Sequence, residues 1–235
     1  MKAPSIVILT GAGVSAESGI RTFRDHDGLW ESHRIEDVAC PEAFERDPAL
    51  VHRFYNLRRA QLGSGGVRPN AAHEALAAFE RDWPGEFLLV TQNVDDLHER
   101  AGSRKLLHMH GELLKARCLA RSTVLEWREE LATDTPCPCC GGRGTLRPHI
   151  VWFGEMPFGL ERIERALAAC DLFVAIGTSG VVYPAAGFVE RVRRGARTVE
   201  INPEGTPVSA AFFEKIRGTA GTEVPRFLES VRASL

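Results

Sequence analysis

Four short apolar runs punctuate the chain: Ile6-Val7-Ile8-Leu9, Phe87-Leu88-Leu89-Val90, Leu172-Phe173-Val174-Ala175-Ile176 and Thr198-Val199-Glu200-Ile201. Runs of this length read as strands buried in a parallel sheet. Between and after them, apolar positions recur at helical spacing over 71–79, 160–169, 185–194 and 224–231. Strands alternating with helices predict an α/β fold, a Rossmann-like doubly wound parallel sheet. Each strand gives way to small or polar residues: Thr10-Gly11, Thr91-Gln92-Asn93, Gly177-Thr178-Ser179 and Asn202. The carboxyl ends of such strands are where open α/β sheets bind ligands.

Two stretches break the alternation. Residues 25–66 hold no strong strand and predict one helix over 49–62, whereas residues 112–148 carry a cysteine cluster and the turn Gly141-Gly142-Arg143-Gly144. The expectation is a large Rossmann-like domain from 1–24, 67–111 and 149–235, with a smaller domain assembled from 25–66 and 112–148. A chain of 235 residues can support that division. A formal net charge of −2 leaves no overall basic footprint for nucleic acid, and no apolar run is long enough to cross a membrane. Met1-Lys2-Ala3-Pro4 leads straight into the first strand without the features of a signal peptide, so the cytoplasm is the expected location. Cys137, Cys139 and Cys140 crowd one Pro/Gly-rich stretch, while Cys40, Cys118 and Cys170 are dispersed. That distribution reads as a metal site, or the remnant of one, and not as a disulfide framework.

The turn after the first strand, Gly11-Ala12-Gly13-Val14-Ser15-Ala16, fits the dinucleotide fingerprint. Its glycines let backbone N–H groups and a helix start approach a pyrophosphate. A hydride-transferring dehydrogenase would continue with a second strand ending in an acidic residue about 20 residues later. Here that stretch is turn-like instead, Ser18-Gly19-Ile20-Arg21-Thr22-Phe23-Arg24 and then Asp25-His26-Asp27-Gly28. Further on, Gln92, Asn93 and Asp95 bring amide and carboxylate groups to a strand end, able to bond a carboxamide and ribose hydroxyls. Asp96 reads as a helix cap, and Asp95 does not. His108-Met109-His110-Gly111 reads as a short strand whose two histidines face opposite sides, so they are not expected to act as one acid–base pair.

Together, the stretch from Gly11 to Arg24, the segment Thr91-Gln92-Asn93-Val94-Asp95 and the pair His110-Gly111 resemble the sirtuin family of NAD-consuming protein-lysine deacylases. The resemblance runs from Ile6 to about Phe227. It implies that Gly11, Ala12, Gly13, Ser15, Phe23 and Arg24 wrap the pyrophosphate and ribose of NAD, and that Gln92, Asn93 and Asp95 hold the nicotinamide end. His110 matches the general base, a task for which imidazole suits near-neutral pH. Gly177, Thr178, Ser179, Asn202 and Glu204 match the adenosine-ribose contacts, and Ala220 the adenine-side loop. NAD is then a co-substrate. The acyl oxygen of a modified lysine attacks the nicotinamide ribose as nicotinamide departs, and His110 deprotonates a ribose hydroxyl on the way to free lysine and O-acyl-ADP-ribose. The implied partners are acylated protein lysines, with no nucleic acid or membrane, and the chain is expected to be a monomer. Two alternatives stand beside this reading, protein ADP-ribosyl transfer and non-enzymatic sensing of NAD or ADP-ribose; His110, Asn93 and Asp95 argue against a sensor.

Tyr55 and Arg58 sit three residues apart on the helix expected over 49–62, which places them on one face. In the sirtuin resemblance this pair marks the class III subgroup, which takes acidic acyl groups, and Ala39 matches the small residue that widens its pocket. A phenol and a guanidinium fork can bind a terminal carboxylate, so succinyl- and malonyl-lysine are the expected substrates alongside acetyl-lysine. Val151 and Phe153, in Val151-Trp152-Phe153-Gly154-Glu155, match the segment that receives the peptide as an added strand. The family's zinc module uses two Cys-x-x-Cys pairs. Here Cys137 and Cys140 form the second pair, and Cys118 stands alone because Arg121 occupies its partner's place. Two readings stay open: a structural zinc on these three thiolates plus Cys139, water or another group, or a module that survives on packing without the ion.

Overall fold

The apolar runs form the middle of a parallel sheet. The computed structural model describes residues 3–20, 29–30 and 33–233, with the backbone alone at 29–30. In chain order the strands are β1 (Ile6–Thr10), the short pair β2 (Leu29–Trp30) and β3 (His33–Arg34), β4 (Phe87–Thr91), β5 (Leu106–His108), β6 (Gly111–Cys118), β7 (Val124–Glu126), β8 (Leu146–Ile150), β9 (Leu172–Ile176), β10 (Arg197–Ile201) and β11 (Glu214–Ile216). The α-helices are α1 (Ile35–Val38), α2 (Pro41–Arg46), α3 (Pro48–Gly63), α4 (Ala71–Asp82), α5 (Leu97–Ala101), α6 (Leu160–Ala169) and α7 (Ala220–Ala233).

Six strands make one all-parallel sheet in the order β11-β10-β9-β1-β4-β5. β1 lies in the middle, with Ile6 opposite Phe87 on one side and Leu172 on the other. Successive strand residues point to opposite faces, and both faces are covered. Ile6, Ile8, Leu89 and Val174 join Leu76 and Phe79 of α4 and Val224 and Phe227 of α7. Val7, Leu9, Val90 and Phe173 join Ile163 and Leu167 of α6 and Phe188. This two-sided burial is why β1, β4 and β9 carry apolar residues without alternation. The chain leaves β1 toward β4 and β5, then returns to build β9, β10 and β11 on the other side. The topological switch, where doubly wound sheets open a crevice, therefore falls at the carboxyl end of β1.

A second sheet, antiparallel in the order β7-β6-β8, pairs Gly111 with Ile150 and Cys118 with Leu146. The domain limits expected at 111/112 and 148/149 fall at the start of β6 and within β8, so these strands run through them. Pro148 inside β8 hides that strand from a pattern search, because proline interrupts the strand signal. α3 starts one residue before its expected limit, where the Asp47 carboxylate accepts the Leu50 N–H at 2.8 Å. The helix expected over 185–194 is instead a 3-10 helix, Ala185–Arg191, after which Val192 turns extended. Gly187 in its middle weakens the α-helical preference. The His108–Gly111 stretch is also not one strand: β5 ends at His108, and Met109 and His110 form a turn.

Candidate active site

Three strand ends meet at the switch. The Gly11 N–H donates to the Ile176 carbonyl at 3.0 Å and the Gly13 N–H to the Gly177 carbonyl at 2.9 Å, stitching the turn after β1 onto the turn after β9. A β-carbon on Gly13 would lie 2.7 Å from the Gly177 Cα, and Gly177 itself has φ +60°, so this crossing requires glycine on both sides. In front of it opens a cavity of about 560 Å³. Its walls include Gly11, Ala12, Gly13 and Ser15 of the first turn, Gln92, Asn93 and Asp95 after β4, His110, and Gly177, Ser179, Asn202, Glu204 and Ala220 from the far half of the sheet. Thr178 stands behind this wall, its carbonyl accepting the Asn202 amide at 2.7 Å. Phe23 and Arg24 lie outside the described residues.

The cavity floor is a buried network with defined donors. The Asn70 N–H donates to His73 Nδ1 at 3.3 Å, so in the neutral ring Nε2 carries the proton and faces Ser15 Oγ at 3.5 Å. Asn93 Nδ2 also reaches Ser15 Oγ at 3.1 Å, and Ser15 in turn donates to Asp95 Oδ2 at 3.1 Å. The other Asp95 oxygen accepts the Leu97 N–H at 3.1 Å. The residue expected to cap this helix, Asp96, makes no such bond and instead pairs with Arg100 at 3.6 Å; Asp95 takes the capping contact as well as its place in the cavity. Burial raises the Asp95 pKa to about 6, against the pull of the Leu97 and Ser15 hydrogen bonds. His73 moves the opposite way, to about 4, because burial disfavours its cation.

His110 Nδ1 lies 3.1 Å from the Gln92 carbonyl. A carbonyl only accepts, so Nδ1 carries the proton and the neutral ring keeps its lone pair on Nε2. Burial lowers the His110 pKa despite that hydrogen bond, which keeps the ring neutral and basic near pH 7. His108 is built differently. Its Nδ1 meets the Asn93 carbonyl at 3.0 Å and its Nε2 meets a Glu99 carboxylate oxygen at 2.7 Å. Burial alone would lower its pKa, but the Glu99 hydrogen bond and charge outweigh burial and raise it.

Toward the other end of the cavity, Tyr55 is fully buried on α3, and its hydroxyl accepts the Trp152 indole N–H at 3.0 Å. Arg147 stacks on the Trp152 ring at 3.4 Å and forms a bidentate pair with Glu155 at 2.6 and 2.9 Å. Ala39, Val151 and Phe153 line the same cavity, and the Phe153 N–H donates to the Ala39 carbonyl. Residues 151–155 form turns and no strand. Arg58 shares α3 with Tyr55, but its guanidinium packs on the Phe54 ring at 3.5 Å and donates to the Phe54 carbonyl at 2.6 Å.

The Sir2 family profile matches residues 11–184. The chain belongs to the Sir2 family. An NAD-dependent protein deacylase of Bdellovibrio bacteriovorus is 63% identical over 95% of both chains. A solved Sir2 homologue in complex with NAD is 42% identical, with a TM-score of 0.88 over 99% of this chain and 91% of that one. A further Sir2 structure, bound to a myristoylated histone peptide, is 32% identical, with a TM-score of 0.75 over 99% of this chain and 93% of its own.

In this Sir2 chain the cysteines gather as the zinc-holding one of the two open readings expects. The three expected thiols, Cys118, Cys137 and Cys140, are joined by Cys139, and all four sulfurs lie within 4.8 Å of one another. Their thiol chemistry and their spacing fit a structural zinc ion. Other parts of this Sir2 site lay beyond sequence reasoning. His73 follows Asn70 in a capping box and otherwise resembles any helical histidine. Glu17 accepts Thr219 Oγ1 at 3.0 Å and the Gly221 N–H at 2.7 Å, fastening the first turn to α7 across the cavity wall. The signal for Glu17 was its place inside the glycine-turn motif, but its partners sit two hundred residues away.

Proposed function

We propose that this Sir2 chain is an NAD-dependent protein-lysine deacylase that removes succinyl and malonyl groups, and acetyl groups as well, releasing nicotinamide and O-acyl-ADP-ribose. The observation that carries the reading is His110: a neutral imidazole, its Nδ1–H fixed on the Gln92 carbonyl, in the wall of a cavity shared with Asn93, Asp95 and the glycine turn. NAD supplies an activated ribose whose bond to nicotinamide can break. The first turn offers backbone N–H groups to the pyrophosphate. Asn93 and Asp95, tied together through Ser15, hold the nicotinamide end. His110 Nε2 takes a proton from a ribose hydroxyl. The preference for acidic acyl groups rests on Tyr55 at the cavity wall and on Arg58 turning from Phe54 toward the acyl carboxylate. Val151 and Phe153 receive the peptide's main chain.

The two-part organisation around residues 25–66 and 112–148, action as a monomer and a cytoplasmic site of action belong to the same reading. The test is mass spectrometry of one peptide carrying either acetyl- or succinyl-lysine, each with and without NAD. Strictly NAD-dependent removal, faster for succinyl, is the expected result. Faster acetyl removal would refute the acyl preference alone. NAD consumption without release of free lysine would shift the reading to ADP-ribosyl transfer.

A further inference from the structure

The two cysteine-bearing turns share one backbone design. In the first, the Cys118 N–H donates to the Thr123 carbonyl at 2.9 Å and the Ser122 N–H to the Cys118 carbonyl at 2.8 Å. In the second, the Cys137 N–H donates to the Gly142 carbonyl at 2.9 Å and the Gly141 N–H to the Cys137 carbonyl at 2.7 Å. The fifth residue of each is left-handed, Ser122 at φ +56° and Gly141 at φ +72°. Ser122 is the one non-glycine residue with positive φ among the described residues, so the first turn keeps this conformation where the side chain opposes it. Counting along both turns, position one is Cys118 or Cys137, position three is Ala120 or Cys139, and position four is Arg121 or Cys140. A turn of this kind offers thiolates from positions one and four. The first turn carries arginine at position four, which does not ligate, and the second carries an additional thiol at position three.

The sulfur positions match this count. Cys137 and Cys139 lie 3.3 Å apart and Cys118 and Cys140 3.7 Å apart. Thiolates at about 2.3 Å from a tetrahedral zinc stand about 3.8 Å from one another. Cys118 and Cys137 are buried against Ala116, Leu131 and Leu146. We propose that Cys139 is the fourth zinc ligand, standing in for the residue at 121, so that the ion is held by one thiolate from the first turn and three from the second. The assignment does not depend on which acyl group the enzyme removes.

The full chain is purified with zinc, dialysed against a mild chelator, and its metal measured by mass spectrometry. Wild type should retain about one zinc per chain, and Cys139→Ser should lose it at least about tenfold faster. The double variant Cys139→Ser/Arg121→Cys should recover wild-type retention, because it rebuilds a pair at positions one and four of both turns. Replacing zinc by cobalt gives a second readout. The thiolate-to-cobalt charge-transfer absorption should fall by roughly a quarter in Cys139→Ser, as four sulfur ligands become three. Cys40→Ser, outside the cluster, should behave as wild type in both assays. Wild-type retention in Cys139→Ser, or a zinc-supplemented wild type that holds no zinc, would overturn the assignment. A double variant no better than Cys139→Ser would overturn the exchange between positions 121 and 139.

Discussion

Replacing Asp95 by asparagine should change stability in a direction that depends on pH, and the network around it sets the size. Burial moves the Asp95 pKa from the ordinary 3.8 to about 6. An acid whose folded pKa is raised contributes stability at low pH that is lost as pH climbs from the unfolded to the folded value. The displacement corresponds to about 3 kcal/mol lost between roughly pH 4 and pH 6, with a plateau above. Asparagine carries no charge and escapes this loss. It introduces its own penalty, because Leu97 N–H and the Ser15 hydroxyl both donate to Asp95, and the amide nitrogen must oppose one of them. That mismatch costs about 1–2 kcal/mol. The expected balance is a variant about 1–2 kcal/mol more stable than wild type at pH 7.5 and about 1–2 kcal/mol less stable near pH 4. Urea unfolding of both proteins across this range reads the difference directly. NAD-dependent turnover should collapse in the same variant, so stability and activity move in opposite directions at pH 7.5. A stability difference that stays flat from pH 4.5 to pH 7.5 would refute the argument that a buried charge on Asp95 opposes folding.

Other outcomes follow from the same geometry. His110→Ala should lower deacylation by about 10²–10⁴-fold with little change in melting temperature, since the ring gives up one hydrogen bond, to the Gln92 carbonyl. Arg58→Met should reduce kcat/KM for succinyl-lysine by roughly tenfold or more while sparing acetyl-lysine, and equal losses on both would count against the carboxylate pocket. Glu17→Ala should raise KM for NAD by roughly fivefold with kcat unchanged, because the lost bonds to Thr219 and Gly221 loosen the cavity wall and no reacting atom. Gly13→Ala should fail to fold or lose several kcal/mol, since its new β-carbon has backbone 2.7 Å away.

Much of the frame was readable because both its causes are local. Apolar runs at 6–9, 87–90 and 172–176 mark strands buried on two faces, and a glycine turn follows the first of them. What escaped depends on contacts distant in sequence. Asp95 and Asp96 both suit a helix start by local rules, and only burial at the switch point decides that Asp95 takes the contact with Leu97. β8 hides behind Pro148, and its pairing with β6 shows only in three dimensions. Cys139 was one of several candidates for a fourth ligand in the sequence, and only the folded turn shows its sulfur 3.3 Å from Cys137. The Tyr55–Arg58 spacing was legible on one helix, but not that Trp152, 97 residues away, holds the phenol or that Phe54 holds the guanidinium.

The two histidines of His108-Met109-His110 show how far residue type is from role. Each offers its Nδ1–H to a backbone carbonyl, and the two carbonyls belong to adjacent residues, Asn93 and Gln92. That shared platform anchors both rings to the loop after β4. The difference lies at the second nitrogen. His108 Nε2 reaches the Glu99 carboxylate, which favours a cation, and both of its nitrogens then act as donors. The His110 ring borders the cavity, where burial favours the neutral ring. A base must hold a lone pair at neutral pH, and His110 alone of the two does so. His108 instead ties α5 to Asn93 with a charge that strengthens its grip. The raised His108 pKa makes that grip fullest below about 6.5 and weaker as pH rises through the folded value, whereas acid first silences His110. One three-residue stretch thus holds two histidines whose pKa values move in opposite directions, His108 upward with Glu99 and His110 downward with burial.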